Sequence, residues 1–146
     1  MQSLAAELMS TVAGLRRVVR RRLARTLPEP QLPTAQVELL LVVEGEPGIG
    51  VAAAARALGL AGNSVSALVN PLVDAGLVRR EIDPTDRRAV RLHLTGGARS
   101  RLSRYRSARA ELVGKALDGL DPADRRAIAD ALPALRRLLD VLREKT

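Results

Sequence analysis

Residues 76–95 constrain the fold of this chain more than any other stretch. Gly76-Leu77-Val78-Arg79-Arg80-Glu81-Ile82 and Ala89-Val90-Arg91-Leu92-His93-Leu94-Thr95 are short apolar-patterned runs, and between them lies Asp83-Pro84-Thr85-Asp86-Arg87-Arg88, a turn dense in Pro, Asp and Arg. This is the sequence form of a charged β-hairpin. Val78 and Ile82 alternate with charged neighbours, and Val90, Leu92 and Leu94 alternate with Arg91 and His93, so each strand can bury one face and wet the other. Asp83-Pro84 suits the first two positions of a β-turn, leaving an exposed, arginine-loaded tip from Pro84 to Arg87 or Arg88. His93 is expected to be an exposed strand residue, and a lone His with no ligand set around it does not make a metal site.

Two short helices precede the hairpin. An alanine-rich one runs from about Val51 to Leu58 and is stopped by Gly59; another begins near Gly62 or Asn63 and carries Val65, Leu68, Val69 and Leu72 to a stop at Gly76. Such a pair, joined by a tight glycine-containing turn, is a helix-turn-helix unit whose second helix lies in the major groove. Helical hairpins also occur in proteins that touch no DNA. Followed directly by a charged hairpin, this one reads as a winged helix-turn-helix, a mainly α fold with a small β-hairpin wing.

The flanking segments are helical too. Leu4, Leu8, Val12, Leu15, Val19 and Leu23 define one apolar face of a first long helix within residues 1–27, with Arg17, Arg21 and Arg25 at i, i+4 spacing on another. Pro28, Pro30 and Pro33 form a stiff connection, and Thr34 is expected to cap a second helix that reaches about Glu44 and buries Val37, Leu40, Leu41 and Val43. Glu46 to Gly50 must then be a turn with at most a very short strand. After the hairpin, Thr95 can cap a long helix with the stripe Leu102, Tyr105, Leu112, Ala116 and Leu117. Asp121-Pro122 opens a last helix with Ile128, Leu132, Leu135, Leu139 and Leu142, which Pro133 should kink or interrupt.

The chain of 146 residues therefore reads as one domain, 1–146, with a winged helix-turn-helix lobe at 34–95 and dimerisation helices at 1–27 and 96–146. Those outer stripes exceed what the small lobe can cover. A second copy of the chain is the economical cover, because burial contributes roughly 25 cal/mol per Å² of apolar surface.

Composition narrows the partner. Apolar residues make up 47% of the chain but aromatics only 1%, Tyr105 alone, so recognition of single strands by base stacking is disfavoured. The formal net charge of +8 comes almost wholly from arginine, since Lys115 and Lys145 are the only lysines, and it favours a polyanion, here double-stranded DNA. With no cysteine there are no disulfides and no thiolate zinc sites. No nucleophile is accompanied by a base and no glycine run forms a phosphate-binding motif, so neither an enzyme nor a cofactor is expected. No run approaches a membrane span, and a soluble, cytoplasmic protein is expected.

In element order the chain resembles the MarR family of bacterial transcription regulators. The most specific stretches are Gly76-Leu77-Val78-Arg79-Arg80, Asp83 to Val90 and Leu92-His93-Leu94-Thr95, with Asp86, Arg88 and Leu92 to Thr95 at the family's wing positions. The resemblance implies a homodimer on a pseudo-palindromic operator, usually a repressor, often released from DNA by a small anionic or phenolic effector.

The expected DNA-binding residues fall in two groups. On the wing, Arg88 is the first choice, with Arg87 beside it at the tip and Asp86 placed to orient the Arg88 side chain. A guanidinium is planar, permanently charged and weakly hydrated, which suits a narrow minor groove. On the recognition helix, Asn63, Ser64, Ser66 and Asn70 are polar and lie away from the apolar face, and Ala67 can offer an apolar contact. The family often has a basic residue where Ala67 stands and another near Pro71, and this chain has neither. A winged-helix scaffold for ligand sensing or protein interaction, with weak or absent specific DNA binding, is therefore the competing reading. Arg16, Arg17, Arg20, Arg21, Arg22 and Arg25 form a basic cluster that can be a solvated face, a contact to flanking DNA or a lining for an anionic ligand cavity.

Overall fold

The computed structural model describes residues 1–144. Among them the elements run α1 (Gln2–Ala24), α2 (Thr34–Gly45), β1 (Ile49–Gly50), α3 (Val51–Leu58), α4 (Gly62–Asp74), β2 (Val78–Ile82), β3 (Val90–Leu94), α5 (Gly96–Asp118) and α6 (Pro122–Glu144). The chain divides into two compact units, one of residues 22–106 and one of residues 1–21 with the chain from Ser107 onward. The unit boundaries fall inside α1 and α5.

In the unit of residues 22–106 the strands form an antiparallel sheet in the order β1-β3-β2, which leaves β2 at an edge. One apolar cluster joins the sheet to the helices: Leu39, Leu40 and Val43 of α2, Ala54 and Ala55 of α3, Val65, Val69 and Leu72 of α4, and Leu92 and Leu94 of β3 are all buried. Without large aromatics, the core is filled by small and branched aliphatic side chains, each contributing roughly 1.5–3 kcal/mol for the larger ones. Helices α3 and α4 meet at 106°, inside the 90–120° range of helix-turn-helix units.

Two glycines make the turns of this unit. Gly59 has φ +65° and closes α3, with the Leu60 N–H donating to the Ala55 carbonyl at 2.9 Å. Gly76 has φ +72° and closes α4 in the same way, the Leu77 N–H donating to Leu72 O at 2.8 Å. Both are left-handed helix ends, the conformation that side chains with a Cβ resist. Thr95 then ties off the hairpin as expected. Its hydroxyl accepts from the Ala98 N–H at 3.1 Å, capping α5, and donates to the Gly76 carbonyl at 2.6 Å.

The Pro-rich connection is held by the first turns of α5. Arg101 donates to the Pro30 carbonyl, Arg104 pairs with Glu29, and Arg106 makes a two-pronged contact with Glu44. The Arg106 hydrogen bond holds the Glu44 carboxyl below its ordinary pKa.

Several local expectations are corrected. The first helix ends at Ala24, short of Leu27, in a turn where the Thr26 hydroxyl donates to the Leu23 carbonyl. Thr34 is the first residue of α2 and does not cap it; Pro33 occupies the cap position with no side-chain bond. Leu41 faces solvent, and Leu39 takes its place in the core, because α2 is apolar nearly all round and its period does not single out one face. Pro133 does not interrupt α6. Helix α4 likewise runs through Pro71 to Asp74. Pro71 sits on the exposed side, where water can take the Ala67 carbonyl that a proline cannot bond.

In the other unit the apolar stripes are only partly covered, Leu8 and Val19 of α1 being half-buried. Leu4, Met9, Leu15 and Val18 of α1 are exposed, and α6 has no buried residue at all, with Ile128, Leu132, Leu135, Leu139 and Leu142 at 39–59% exposure.

Candidate nucleic-acid interface

The candidate interface lies within residues 22–106 and consists of the outer ridge of α4 and the β2–β3 wing. On α4, Val65, Val69 and Leu72 are buried, so residues about 180° around the helix point outward. Asn63, Ala67 and Asn70, spaced i, i+4, i+7, form that outward ridge, flanked by Ser64 and Ser66; all five are exposed. The helix carries no basic residue. Its N-terminus has no side-chain cap at Ala61, and the Asn63 side-chain oxygen instead accepts from the Ser64 N–H at 2.9 Å. Asn63 is thus partly engaged in satisfying one of the helix's free donors.

The wing is organised by Asp83, a residue that sequence reasoning treated only as a turn former. Its Oδ1 accepts from the backbone N–H and the hydroxyl of Thr85 at 2.9 and 2.8 Å, and its Oδ2 accepts from Arg91 Nε at 3.0 Å. These bonds lower the Asp83 pKa to about 2, the Thr85 backbone bond first among them. The β-turn expected at Asp83-Pro84 sits three residues later. Ala89 N–H donates to Asp86 O at 3.0 Å, which places Arg87 and Arg88 at the two central positions of the turn. Asp-Pro-Thr was a legible signal for this side-chain-mediated turn.

Asp86 does not orient the Arg88 guanidinium. Its Oδ1 accepts from the backbone N–H of Arg88 at 3.0 Å, fixing the turn and leaving the Arg88 side chain unbound. Among the described residues, no hydrogen bond or ion pair engages the side chain of Arg87 or Arg88, and both are exposed. The short Asp side chain reaches the amide two residues on more readily than the end of a long arginine, which is why the expected pairing gives way.

The two faces of the wing use their charges differently. Strand register pairs Val78 with Leu94, Arg80 with Leu92 and Ile82 with Val90, so these share the face that packs on the core. The opposite face carries Arg79, Glu81, Asp83, Arg91 and His93, and there the charges neutralise one another: Glu81 meets His93 Nε2 at 2.8 Å and Arg79 at 3.6 Å, and Asp83 meets Arg91. His93 is half-buried by this pairing and by the turn at Gly48, where an added Cβ would come within 3.4 Å of its ring, so the expected exposed position is corrected.

Ile82 is also corrected: it ends β2, of whose residues only Val78 is buried, and is 64% exposed. Two residues earlier, Arg80 lies on the same face, next to α4, where its guanidinium donates to the side-chain oxygen of Asn70. Arg80 was not singled out from the sequence. The alternation of Val78, Arg80 and Ile82 could have placed it on the helix side once Val78 was assigned to the core.

This geometry is shared with known proteins. A model of the MarR family matches residues 31–89, from the Pro-rich connection to the wing tip. A protein of Thauera aromatica, assigned as a transcriptional regulatory protein for the hcr operon, is 34% identical over 89 residues, 60% of this chain and 54% of that one. The chain thus spans about half the length of that curated relative. A solved structure from Pseudomonas aeruginosa, assigned as a transcriptional regulator protein, is 30% identical with a TM-score of 0.80, covering 94% of each chain. FabT of Streptococcus pneumoniae, solved in complex with DNA, is 20% identical with a TM-score of 0.75, covering 97% of this chain and 99% of that one. With the family's model on the helix-turn-helix and wing, and a relative alike along almost its full length, the chain belongs to the MarR family.

Proposed function

We propose that this protein is a dimeric, sequence-specific DNA-binding transcription regulator that acts as a repressor. The observation that carries this reading is the pair of unbound guanidinia of Arg87 and Arg88 at the tip of a wing on which Arg79, Glu81, Asp83, Arg91 and His93 are engaged with one another. Unpaired cations on a short hairpin fit phosphates and a narrow minor groove, while the polar ridge Asn63, Ser64, Ser66, Ala67 and Asn70 fits the adjacent major groove. FabT, a protein of this fold, was solved in complex with DNA, which supports DNA as the partner.

The lobe at 34–95 binds DNA in this reading, and the helices at 1–27 and 96–146 dimerise. The exposed leucine stripe of α6 supports the dimer, since monomers rarely expose contiguous apolar surface beyond a few hundred Å². A two-fold dimer calls for a pseudo-palindromic operator with half-site centres about 10 bp or a multiple apart. Relief by a small anionic or phenolic effector, which the resemblance to the family implies, completes this reading. The cytoplasmic location of a regulator fits a chain in which no single described helix is long and apolar enough to cross a membrane.

A second reading, a winged-helix scaffold for ligand sensing or protein interaction, is favoured by one observation: α4 presents Ala67 at the middle of its ridge and no cation. Fluorescence anisotropy with the DNA upstream of the protein's own gene decides between them. Binding that weakens steeply with salt and exceeds binding to a scrambled duplex supports the regulator; equal binding to both supports the scaffold.

A further inference from the structure

We infer that Arg80 is a specificity-determining residue: by turning the Asn70 side-chain oxygen towards β2, it leaves Asn70 presenting its amide N–H donors, and so selects guanine over adenine beneath that position. The inference rests on the proposed placement of α4 in the major groove.

An asparagine side chain has one acceptor oxygen and one amide nitrogen with two donors, and which end faces outward is set by the surrounding bonds. For Asn70 the surroundings decide it. Arg80 lies on the α4-facing side of edge strand β2, opposite Leu92, and its guanidinium donates to the Asn70 oxygen. Arginine has no acceptor, so the amide cannot turn over and keep this bond. The Asn70 nitrogen is then left to face outward along the ridge it shares with Asn63 and Ala67. Asn63 is divided the same way, its oxygen taken by the Ser64 N–H.

The chemistry of the groove edges follows. The usual asparagine contact to adenine needs both ends of the amide, the nitrogen donating to N7 and the oxygen accepting from N6. With its oxygen turned towards Arg80 and away from the base edge, Asn70 brings no acceptor to N6, and its own N–H groups would face the N6 amino donor. Guanine offers two acceptors, N7 and O6, and no donor on this edge. An asparagine that presents its N–H donors therefore favours guanine on an α4 that has no arginine or lysine of its own. The neighbouring side chains leave this arrangement undisturbed: Arg79 and Glu81 are on the opposite face of the strand, and Glu81 is engaged with His93.

Selection from a pool of randomised duplexes, with sequencing of the bound fraction, tests this in the full-length protein. Wild type should enrich an inverted repeat in which one position per half-site prefers guanine to adenine by about fivefold or more, from the lower end of about 1–3 kcal/mol for a direct base contact. Asn70→Ala should lose the preference at that position only. Arg80→Met, which keeps length and removes the donors, should admit adenine there; Arg80→Lys, which keeps a donor, should retain guanine. Circular dichroism melting confirms that each variant is folded, and Arg80→Leu replaces Arg80→Met should the latter not fold. If Asn70→Ala changes no position, or Arg80→Met leaves guanine preferred as in wild type, the inference is overturned while DNA recognition stands. If wild type enriches no sequence, the regulator reading fails first and this one falls with it.

Discussion

Arg91 places both Nε and Nη2 on one oxygen of Asp83, at 3.0 and 2.9 Å, while Thr85 occupies the other oxygen from its backbone and its hydroxyl. The hairpin tip is thereby anchored to the second residue of β3, its own return strand. The four donors favour the ionised carboxylate, and the Asp83 pKa falls from the ordinary 3.8 to about 2.

A group whose folded-state pKa is depressed adds stability that is complete above its unfolded value and is lost as pH falls through the folded value. For Asp83 the window is pH 4 to 2. Urea unfolding of wild type and Asp83→Asn, followed by circular dichroism at several pH values, should show wild type more stable at pH 7 and the gap closing across that window. A gap of equal size at pH 7 and pH 2 would show that the carboxylate charge is not what the wing uses.

Arg88→Ala should weaken operator binding with little change in thermal stability, because the Arg88 side chain makes no bond within the fold and the turn is held by its backbone N–H. Arg87→Ala should behave alike. Where either guanidinium meets a phosphate, its removal lowers the slope of log affinity against log salt by about 1. An anisotropy titration at several salt concentrations reads both quantities. Unaltered affinity in both variants would remove the wing tip from the interface.

Much of this was legible in the sequence because the signals were local. Gly59 and Gly76 mark helix ends through a backbone conformation that few other residues adopt, and Thr95 caps a helix three residues from the amide it bonds. The hairpin, the two short helices and the stripes of α1 and α6 follow from hydrophobic period alone. The site was less legible where it depends on which of several charged neighbours pair. Asp83 and Asp86 both lie within reach of arginines, and only the strand register decides that Asp83 takes Arg91 and that Asp86 takes a backbone amide. The Arg80 to Asn70 bond joins residues ten positions apart across the α4–β2 turn, and α4 itself gives no hint that its asparagine is oriented from outside.

Gly76→Ala tests the turn that launches the wing. Nothing lies within 4 Å of an added Cβ, so the cost is that of forcing alanine to φ +72°, about 1–2 kcal/mol. Denaturant unfolding should show this loss with an unchanged slope. The same substitution at Gly62, which is helical and equally open, should be neutral or mildly stabilising. Equal effects at the two positions would refute the backbone explanation.

The exposed face of α6 supplies the last test. Leu135 and Leu139 are one turn apart and 39% and 48% exposed, and no residue of the helix is fully buried by the rest of the chain. If a second copy covers this face, then placing a carboxylate at its middle sets two like charges in an apolar interface and dissociates the pair. Wild type should sediment at about twice 15.7 kDa, and Leu139→Glu should shift towards the single-chain mass at micromolar concentration. Because the core of the unit at residues 22–106 is complete without α6, the variant should keep its folded lobe, seen as retained amide exchange protection at Leu92 and Val69. Its affinity for a single half-site should match wild type, while its affinity for the full inverted repeat should fall by tenfold or more, on the order of the lower end of avidity gains. A dimer that survives the substitution would place the interface elsewhere.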